Sequence, residues 1–496
     1  MIRFFNTLGG KLEPFKPIQN GTVRLYTCGP TVYDYAHIGN YRAYMFEDLL
    51  KRFLQFMGYK VIHVMNITDV DDKTIKGANA LGLSLAEYTE KYIRAFHRDR
   101  KTLRIMDADF YPKATENILG MARLVKGLLD KGYAYEKDGN YYFNINKFGD
   151  YGKLSNIDKR ELMAGVRIDS DEYEKESVQD FALWKAPKEG EPYWETEIGP
   201  GRPGWHIECS VMSAKYLGDT FDIHCGGVDN IFPHHENEIA QSEAHTGKKF
   251  VNYWLHCQHL IRDGQKMSKS KGNIVTIEEL IENHNADPLA LRLLLLSTHY
   301  RKMLNFTFES LEQAKASLER INKFLKDLST TDLKDGETPE AFALAENMEQ
   351  NFIKGLSDDL NISAALAALF EIIRKANTLL AEGKMLKKDA EKMLSVIKSI
   401  DEVLAVASFP ENIAFEKRTM KLKGRVHASS EITGHISVEK KEENLTNEIK
   451  EKINLREKAR AEKNFELADK IRDELLEKGI VLEDTKNGVR WKTVQK

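Results

Sequence analysis

The chain has 496 residues, 42% of them hydrophobic and 30% charged, with 32 Gly and 12 Pro; this excludes collagenous and wholly disordered classes and gives a prior of roughly three to four domains. Lys and Arg number 73 against 76 Asp and Glu, a net charge of −3, so any contact with nucleic acid must come from a local patch. No apolar run is long enough to span a membrane, the N-terminus lacks a signal-like apolar core, and four cysteines are too few for a disulfide framework, so a soluble cytoplasmic protein is expected.

Thr22 to Cys28 alternates polar and apolar residues like a half-buried strand, and Gly29-Pro30 ends it. Phe46, Leu50, Phe53, Leu54 and Met57 then define one helical face, with Gly58 as the stop before a β-rich run from Lys60 to Ile67. Strand, helix, strand with a long crossover predicts a parallel, Rossmann-like sheet with ligands at the carboxyl ends of its strands. The segment 120–200, with tight-turn signals at Asp138-Gly139 and Gly149-Asp150, reads as an insert between two halves, 1–119 and 201–286. The second half repeats the pattern. A strand from Thr220 runs into Cys225-Gly226-Gly227, a helix opens at Pro233 and closes at Gly247, and a strand from Val251 to Cys257 leads to the polar loop Gly264 to Asn273. Helical periodicity dominates 287–407, in Pro288 to Ser297, Glu309 to Leu328, Ala341 to Lys354 and Ile362 to Glu382. Residues 408–443 read as a linker. The last part, 444–496, reads as a helical hairpin stopped by Gly479 and a β-hairpin through Asn487-Gly488. From Glu411 onward, 20 basic residues face 17 acidic ones, a weak local excess that a solvated helical face would also show.

Two motifs carry chemistry. His37-Ile38-Gly39-Asn40 lies where the first strand gives way to a helix, where backbone N–H groups and the helix dipole attract phosphate. A glycine there admits a flat base and a histidine can donate to a phosphoryl oxygen, although a capped turn with a surface histidine has the same sequence. Lys266-Met267-Ser268-Lys269-Ser270 is sharper, since such a pentapeptide is expected by chance on the order of 10⁻⁴ times, and its two lysines suit a departing pyrophosphate. A third pattern concerns metal. Zinc accepts thiolate, imidazole and carboxylate; His234 with Glu238 at i, i+4, or His235 with Glu238 at i, i+3, could share an ion, and Cys28 and Cys209 could both reach the mouth of the sheet. Cys225 and Cys257 read as buried thiols. Asp229, just after Gly226-Gly227, is placed either to hold a ribose or an ammonium group or simply to cap a helix.

In this order, on two halves of one sheet, the first two motifs resemble the signature pair of class I aminoacyl-tRNA synthetases. The stretches Tyr26 to Asp34, Asn66 to Lys73, Asp180 to Lys185, Gly204 to Ser210 and Phe232 to Glu238, with the tail from Arg456 through Ala468-Asp469 to Trp491, resemble the cysteinyl-tRNA synthetase family over nearly the whole chain, more weakly at 330–409 and 429–442. Position 40 departs from the pattern: it is Asn where many class I members carry a second histidine, which predicts an altered geometry at ATP.

The resemblance implies an α/β architecture: a Rossmann-like catalytic domain with an insert, a helical stem-contact and bundle region, and a small C-terminal α+β anticodon-binding domain. It implies ligation of L-cysteine to tRNA(Cys) through a cysteinyl-adenylate, at the expense of ATP with Mg2+. One zinc ion on Cys28, Cys209, His234 and Glu238 would select the substrate thiol. His37, Asn40, Lys266 and Lys269 are the expected catalytic residues, Gly39, Gly227 and Asp229 join them around ATP, and Gly29, Thr68, Trp205 and Asp229 surround the amino acid. Arg456, Arg460, Arg490 and Trp491 are the expected tRNA contacts, and the expected state is a monomer with no membrane partner. Two other readings stay open: a ligase that passes cysteine to a small amine, and a non-catalytic RNA-binding or sensing protein.

Overall fold

The computed structural model describes residues 1–157, 180–268, 271–409, 452, 455–456, 458–459, 465–477, 480–485 and 488–493. It divides into two units, Met1–Lys423 and Gly424–Lys496, with the boundary inside the segment read as a linker. In chain order the first unit runs β1 (Arg3–Asn6), β2 (Lys11–Pro14), β3 (Thr22–Thr27), α1 (Ile38–Phe56), β4 (Lys60–Met65), α2 (Asp72–Leu81), α3 (Leu85–Thr102), α4 (Ile118–Asp130), β5 (Ala134–Lys137), β6 (Asn140–Asn144), β7 (Asp180–Lys185) and β8 (Arg202–Pro203). It continues with α5 (Trp205–Leu217), β9 (Phe221–Gly227), α6 (Glu236–Thr246), β10 (Val251–Cys257), β11 (Leu260–Arg262), β12 (Gln265–Lys266), α7 (Ile277–His284), α8 (Pro288–Leu296), β13 (Leu304–Phe306), α9 (Phe308–Thr330), α10 (Pro339–Ser357), α11 (Ile362–Ala381) and α12 (Lys387–Leu404).

The scaffold is a parallel sheet in the order β10-β9-β3-β4. Its register sets Thr27 beside Cys225 and Met65, and Cys257 beside Gly227, so the strands end together at one edge. Both faces are covered, as an all-parallel sheet requires. Ile223, Cys225, Leu255 and Cys257 share a core with α1, whereas Tyr26, Val64, Phe221 and Trp254 share another with α4, α5 and α6. The predicted apolar stripe of α1 is buried at Phe46, Leu50, Phe53 and Leu54. The insert folds as an antiparallel sheet, β5-β6-β7-β8, whose first hairpin turns through Asp138 and Gly139, both at positive φ (53° and 77°), as a two-residue hairpin turn demands.

A buried ionic junction ties α1 to the helical region. Asp48 accepts from Arg292 on α8 at 2.5 Å and from Arg52 at 2.8 Å, and the other Arg292 donors reach the carbonyl oxygens of Leu404 (2.6 Å) and Leu103 (2.8 Å). A buried pair whose donors are all filled fixes how elements meet more than it adds stability. Among the described residues no helix is long and apolar enough to cross a membrane.

Two sequence expectations shift. The helix assigned to Pro233 opens at Glu236. Ile231–His235 forms a π turn in which Phe232 is extended (φ −137°, ψ 132°), because a residue before proline is pushed out of the helical region. The hairpin β1-β2 and helices α2, α3 and α12 add to the elements read from the sequence, and α3 opens on a capping box of Ser84 and Glu87. In the second unit, helix α13 (Phe465–Glu477) precedes β14 (Ile480–Thr485) and β15 (Gly488–Thr493), which pair antiparallel with Thr485 opposite Gly488. Asn487 lies outside the described residues.

Candidate active site

At the carboxyl edge of the sheet, the ligand atoms of Cys28, His234, His235 and Glu238 lie within 4.8 Å of one another, all buried. β3 delivers Cys28, the π turn delivers both histidines and the first turn of α6 delivers Glu238. Glu238 Oε1 stands 3.1 Å from His234 Nε2 and 3.9 Å from His235 Nε2, and Cys28 Sγ is 3.1 Å from His235 Nε2. The Cys209 thiol on α5 is the first cause of the raised Cys28 thiol pKa, burial the second. Three of the four residues implied by the resemblance are thus gathered in one group with Cys209 alongside, while His235, the alternative left open by spacing, stands inside it.

A shell of further histidines orients the cluster. His234 Nδ1 shares a hydrogen bond with His206 Nδ1 at 3.0 Å, and His235 Nδ1 with His256 Nε2 at 2.8 Å, which leaves each Nε2 turned to the cluster. His256 Nδ1 is held in turn by Thr7 Oγ1 at 2.7 Å, and His224 Nε2 bonds Glu238 Oε2 at 2.9 Å. Trp205 stacks on His234 at 4.2 Å and Trp254 on His224 at 4.6 Å. Burial lowers the pKa of His206, His224 and His256 to about 3, lowers those of His234 and His235 well below the usual imidazole value, and raises that of the Glu238 carboxyl. The pocket therefore disfavours every ionised side chain. Glu238 Oε1 nevertheless has no hydrogen-bond partner although it is fully buried. Neutral imidazoles, thiols and a buried carboxylate oxygen without a donor suit a divalent cation, which would reverse the local preference for neutral groups.

These secondary histidines were missed. Strand alternation marks two of them once the strands are paired, since the register sets Trp254 opposite His224 and His256 opposite Gly226, so His224, Trp254 and His256 share one face of the sheet; His206 lies on α5, outside any strand pattern. On the other face lie Cys225 and Cys257, both with thiol pKa raised by burial, consistent with their reading as buried thiols.

The two phosphate-type motifs meet beside this edge. His37 caps α1: its Nδ1 accepts from the Gly39 N–H at 3.1 Å, while Asn40 Oδ1 accepts from the His37 N–H at 3.0 Å. The unusual Asn40 therefore completes a capping box, and it is exposed. A Cβ on Gly39 would stand 2.8 Å from Met267 Cε, so the loop after β12 packs directly over this glycine. Lys266 is exposed at the end of β12, and Asn273 braces the loop by donating to Lys266 O at 3.2 Å and accepting from the Ser268 N–H at 2.9 Å. Lys269 lies outside the described residues.

Gly29 approaches the Asn66 carbonyl so closely that a Cβ would sit 1.8 Å from its oxygen, and its N–H donates to Asn66 Oδ1 at 2.9 Å. Thr68 is buried, donating to Glu208 Oε2 at 2.9 Å and accepting from Asn66 Nδ2 at 3.1 Å, so it braces the start of α5 beside Cys209. Gly227 ends β9, and Asp229 is exposed one short turn beyond it.

In the second unit Arg456, one of the expected tRNA contacts, is buried. Arg456 is 3% exposed and shares a buried stripe with Ala459, whereas Lys458 is exposed. Residues two apart on a helix point to different sides, so Arg456 and Lys458 do not form one basic face. On β15 the backbones of Arg490 and Trp491 pair with those of Glu483 and Leu482 on β14, and Arg460 lies outside the described residues.

The chain matches the family model described as tRNA synthetases class I (C) catalytic domain over residues 14–316, and that of the DALR domain over residues 351–408. It is 45% identical over 499 aligned residues to the cysteine--tRNA ligase of Protochlamydia amoebophila (strain UWE25), covering 99% of this chain and 98% of that one. Its identity to the cysteine--tRNA ligase of Koribacter versatilis (strain Ellin345) is 46% over 495 residues, with 99% of each covered. Among solved structures it is similar to a Mycobacterium tuberculosis methionyl-tRNA synthetase in complex with methionyl-adenylate, with a TM-score of 0.59 at 16% identity, over 77% of this chain and 92% of that one; this likeness concerns the fold alone.

Proposed function

The chain belongs to the cysteine--tRNA ligase family of class I synthetases, and from that premise we propose how its residues divide the work of activating L-cysteine with ATP and passing the cysteinyl group to tRNA(Cys). The observation that carries the reading is the buried Cys28, His234, His235 and Glu238 group opening on the same edge as the His37 cap.

Cys28, Cys209, His234 and Glu238 would hold zinc, with His235 the competing donor. Bound there, zinc supplies a soft Lewis acid that prefers the substrate thiolate to the hydroxyl of serine. Such a preference matters because a hydrophobic pocket separates near-isosteres poorly. The chain's own groups do the rest. Gly29, Thr68 and Trp205 wall the amino acid, and Asp229 holds its ammonium group or the ribose of ATP. Gly39 and Gly227 let the nucleotide approach the backbone, and the positive end of the α1 dipole, capped by His37, faces its phosphates. As the cysteine carboxylate oxygen bonds to the α-phosphorus and the bond to the bridging oxygen of pyrophosphate breaks, His37 and Asn40 donate to phosphoryl oxygens. Lys266 and Lys269 neutralise the departing pyrophosphate, whose Mg2+ arrives with ATP. The terminal ribose hydroxyl of tRNA then attacks the carbonyl, with AMP as leaving group. Arg460, Arg490 and Trp491 supply anticodon-side contacts, cations beside a stacking surface. The protein works as a cytoplasmic monomer.

ATP–pyrophosphate exchange measured with each standard amino acid tests this reading. Exchange should require cysteine, and a preference for any other amino acid would refute it. The small-amine reading would be favoured if exchange with cysteine occurred without transfer to any tRNA.

A further inference from the structure

Beside the His37 cap, three elements assemble an aromatic and basic surface that the chemistry above does not use. Tyr33 and Tyr35 come from the loop between β3 and α1, Lys73 from the first turn of α2, and Lys91 and Tyr92 from α3. Lys73 Nζ stands 5.0 Å from the Tyr33 ring centroid, and Lys91 Nζ stands 5.0 Å from that of Tyr35 and 5.4 Å from that of Tyr92. Tyr35 and Tyr92 meet edge to face at 5.2 Å. The platform is braced from below: Tyr88 OH donates to the Tyr33 carbonyl at 2.6 Å, and a Cβ at Gly77 would stand 2.1 Å from that hydroxyl oxygen. The neighbouring acids are engaged by other cations, Asp72 by Lys185 (3.0 Å) and Arg202, and Glu90 by Arg94 (3.7 Å) and Lys113 (3.8 Å). Asp34 Oδ1 accepts from the Tyr35 N–H at 2.8 Å within the loop itself.

Half-buried tyrosines interleaved with lysines are how proteins hold unpaired nucleic acid, bases on rings and phosphates on ammonium groups. We propose that Tyr33, Tyr35 and Tyr92 with Lys73 and Lys91 form the track for the unpaired 3′ end of the tRNA, guiding its terminal ribose to the adenylate. The proposal rests on the synthetase reading. The terminal ribose has to reach the N-terminus of α1, and Tyr35 is separated from the His37 cap only by Ala36. A base arriving on a ring moves the lysine from that face onto the adjoining phosphate, so one pair of side chains serves both parts of a nucleotide.

The test compares intact tRNA(Cys) with the same transcript lacking its unpaired 3′ nucleotides, using the full chain carrying Lys91→Glu, Tyr92→Ala or Tyr92→Phe. Binding of intact tRNA should weaken about tenfold in Lys91→Glu and in Tyr92→Ala, the size of one lost stacking or phosphate contact. Tyr92→Phe, which keeps the ring, should bind as the unaltered protein does. The shortened transcript should bind all four proteins alike, and cysteine-dependent pyrophosphate exchange should stay unchanged. Equal weakening for both transcripts, or none for the intact one, overturns the proposal. If Tyr92→Ala fails to fold, the exposed Lys91→Glu decides alone. Failure of the synthetase reading would look different, as absent exchange with cysteine in the unaltered protein.

Discussion

Cys28→Ser should lower cysteine-dependent pyrophosphate exchange by more than about 100-fold and remove bound zinc, because replacing even the outer partners of metal ligands costs 10–100-fold. Cys28 ends β3 between Cys209 and His235 in a pocket that keeps its histidines neutral and raises the Glu238 carboxyl, so a cation there is held by the combined donor set and not by a preformed charge. A serine hydroxyl fits the volume but ionises far less readily than a thiol, and it is a harder ligand. Metal content by elemental analysis and exchange kinetics should fall together, while thermal unfolding separates loss of metal from loss of fold. Exchange at the unaltered rate in a zinc-free protein would remove the metal from the account.

Lys269→Ala should reduce the rate constant for adenylate formation by about 10²–10³-fold, the usual effect of deleting one donor aimed at developing charge. It should leave zinc content and cysteine affinity nearly unchanged. Met267, two residues before Lys269, packs over Gly39 at the N-terminus of α1, while the Cys28, His234, His235 and Glu238 cluster is built from other elements. Since the β- and γ-phosphates gain negative charge as the bond to the α-phosphorus breaks, a lysine beside them stabilises the transition state more than the ground state. Single-turnover kinetics with ATP and cysteine measure this directly. A variant that lost zinc or unfolded would show the lysine to be structural.

The legible parts of this site were those encoded by neighbours in sequence. The cap of α1 reads from four adjacent residues, and the pairing of His234 with Glu238 reads from helical spacing even though the helix opens at Glu236 and the histidine sits in the turn before it. The illegible parts depend on contacts between distant segments. His206, His224 and His256 become partners of the cluster only when α5, β9 and β10 are placed side by side, with their register known. Arg456 shows the opposite error. It is an expected tRNA contact, yet it lies on a buried stripe with Ala459, and composition alone does not reveal which stripe of a helix will be covered. The parallel sheet is readable because its strands are short runs bounded by glycine-containing turns, whereas α2 is only ten residues long and opens in the acid-rich stretch Thr68 to Asp72, which reads as a loop.

Charging of unfractionated tRNA, assayed with labelled cysteine and with labelled serine in the presence of ATP and Mg2+, tests the central claim most directly. The account predicts that cysteine becomes attached to tRNA(Cys) and that kcat/KM for cysteine exceeds that for serine by at least about 10³-fold, more than a hydrophobic pocket alone provides. An unaltered full chain that makes no cysteinyl-tRNA, or that charges serine as readily as cysteine, would contradict it.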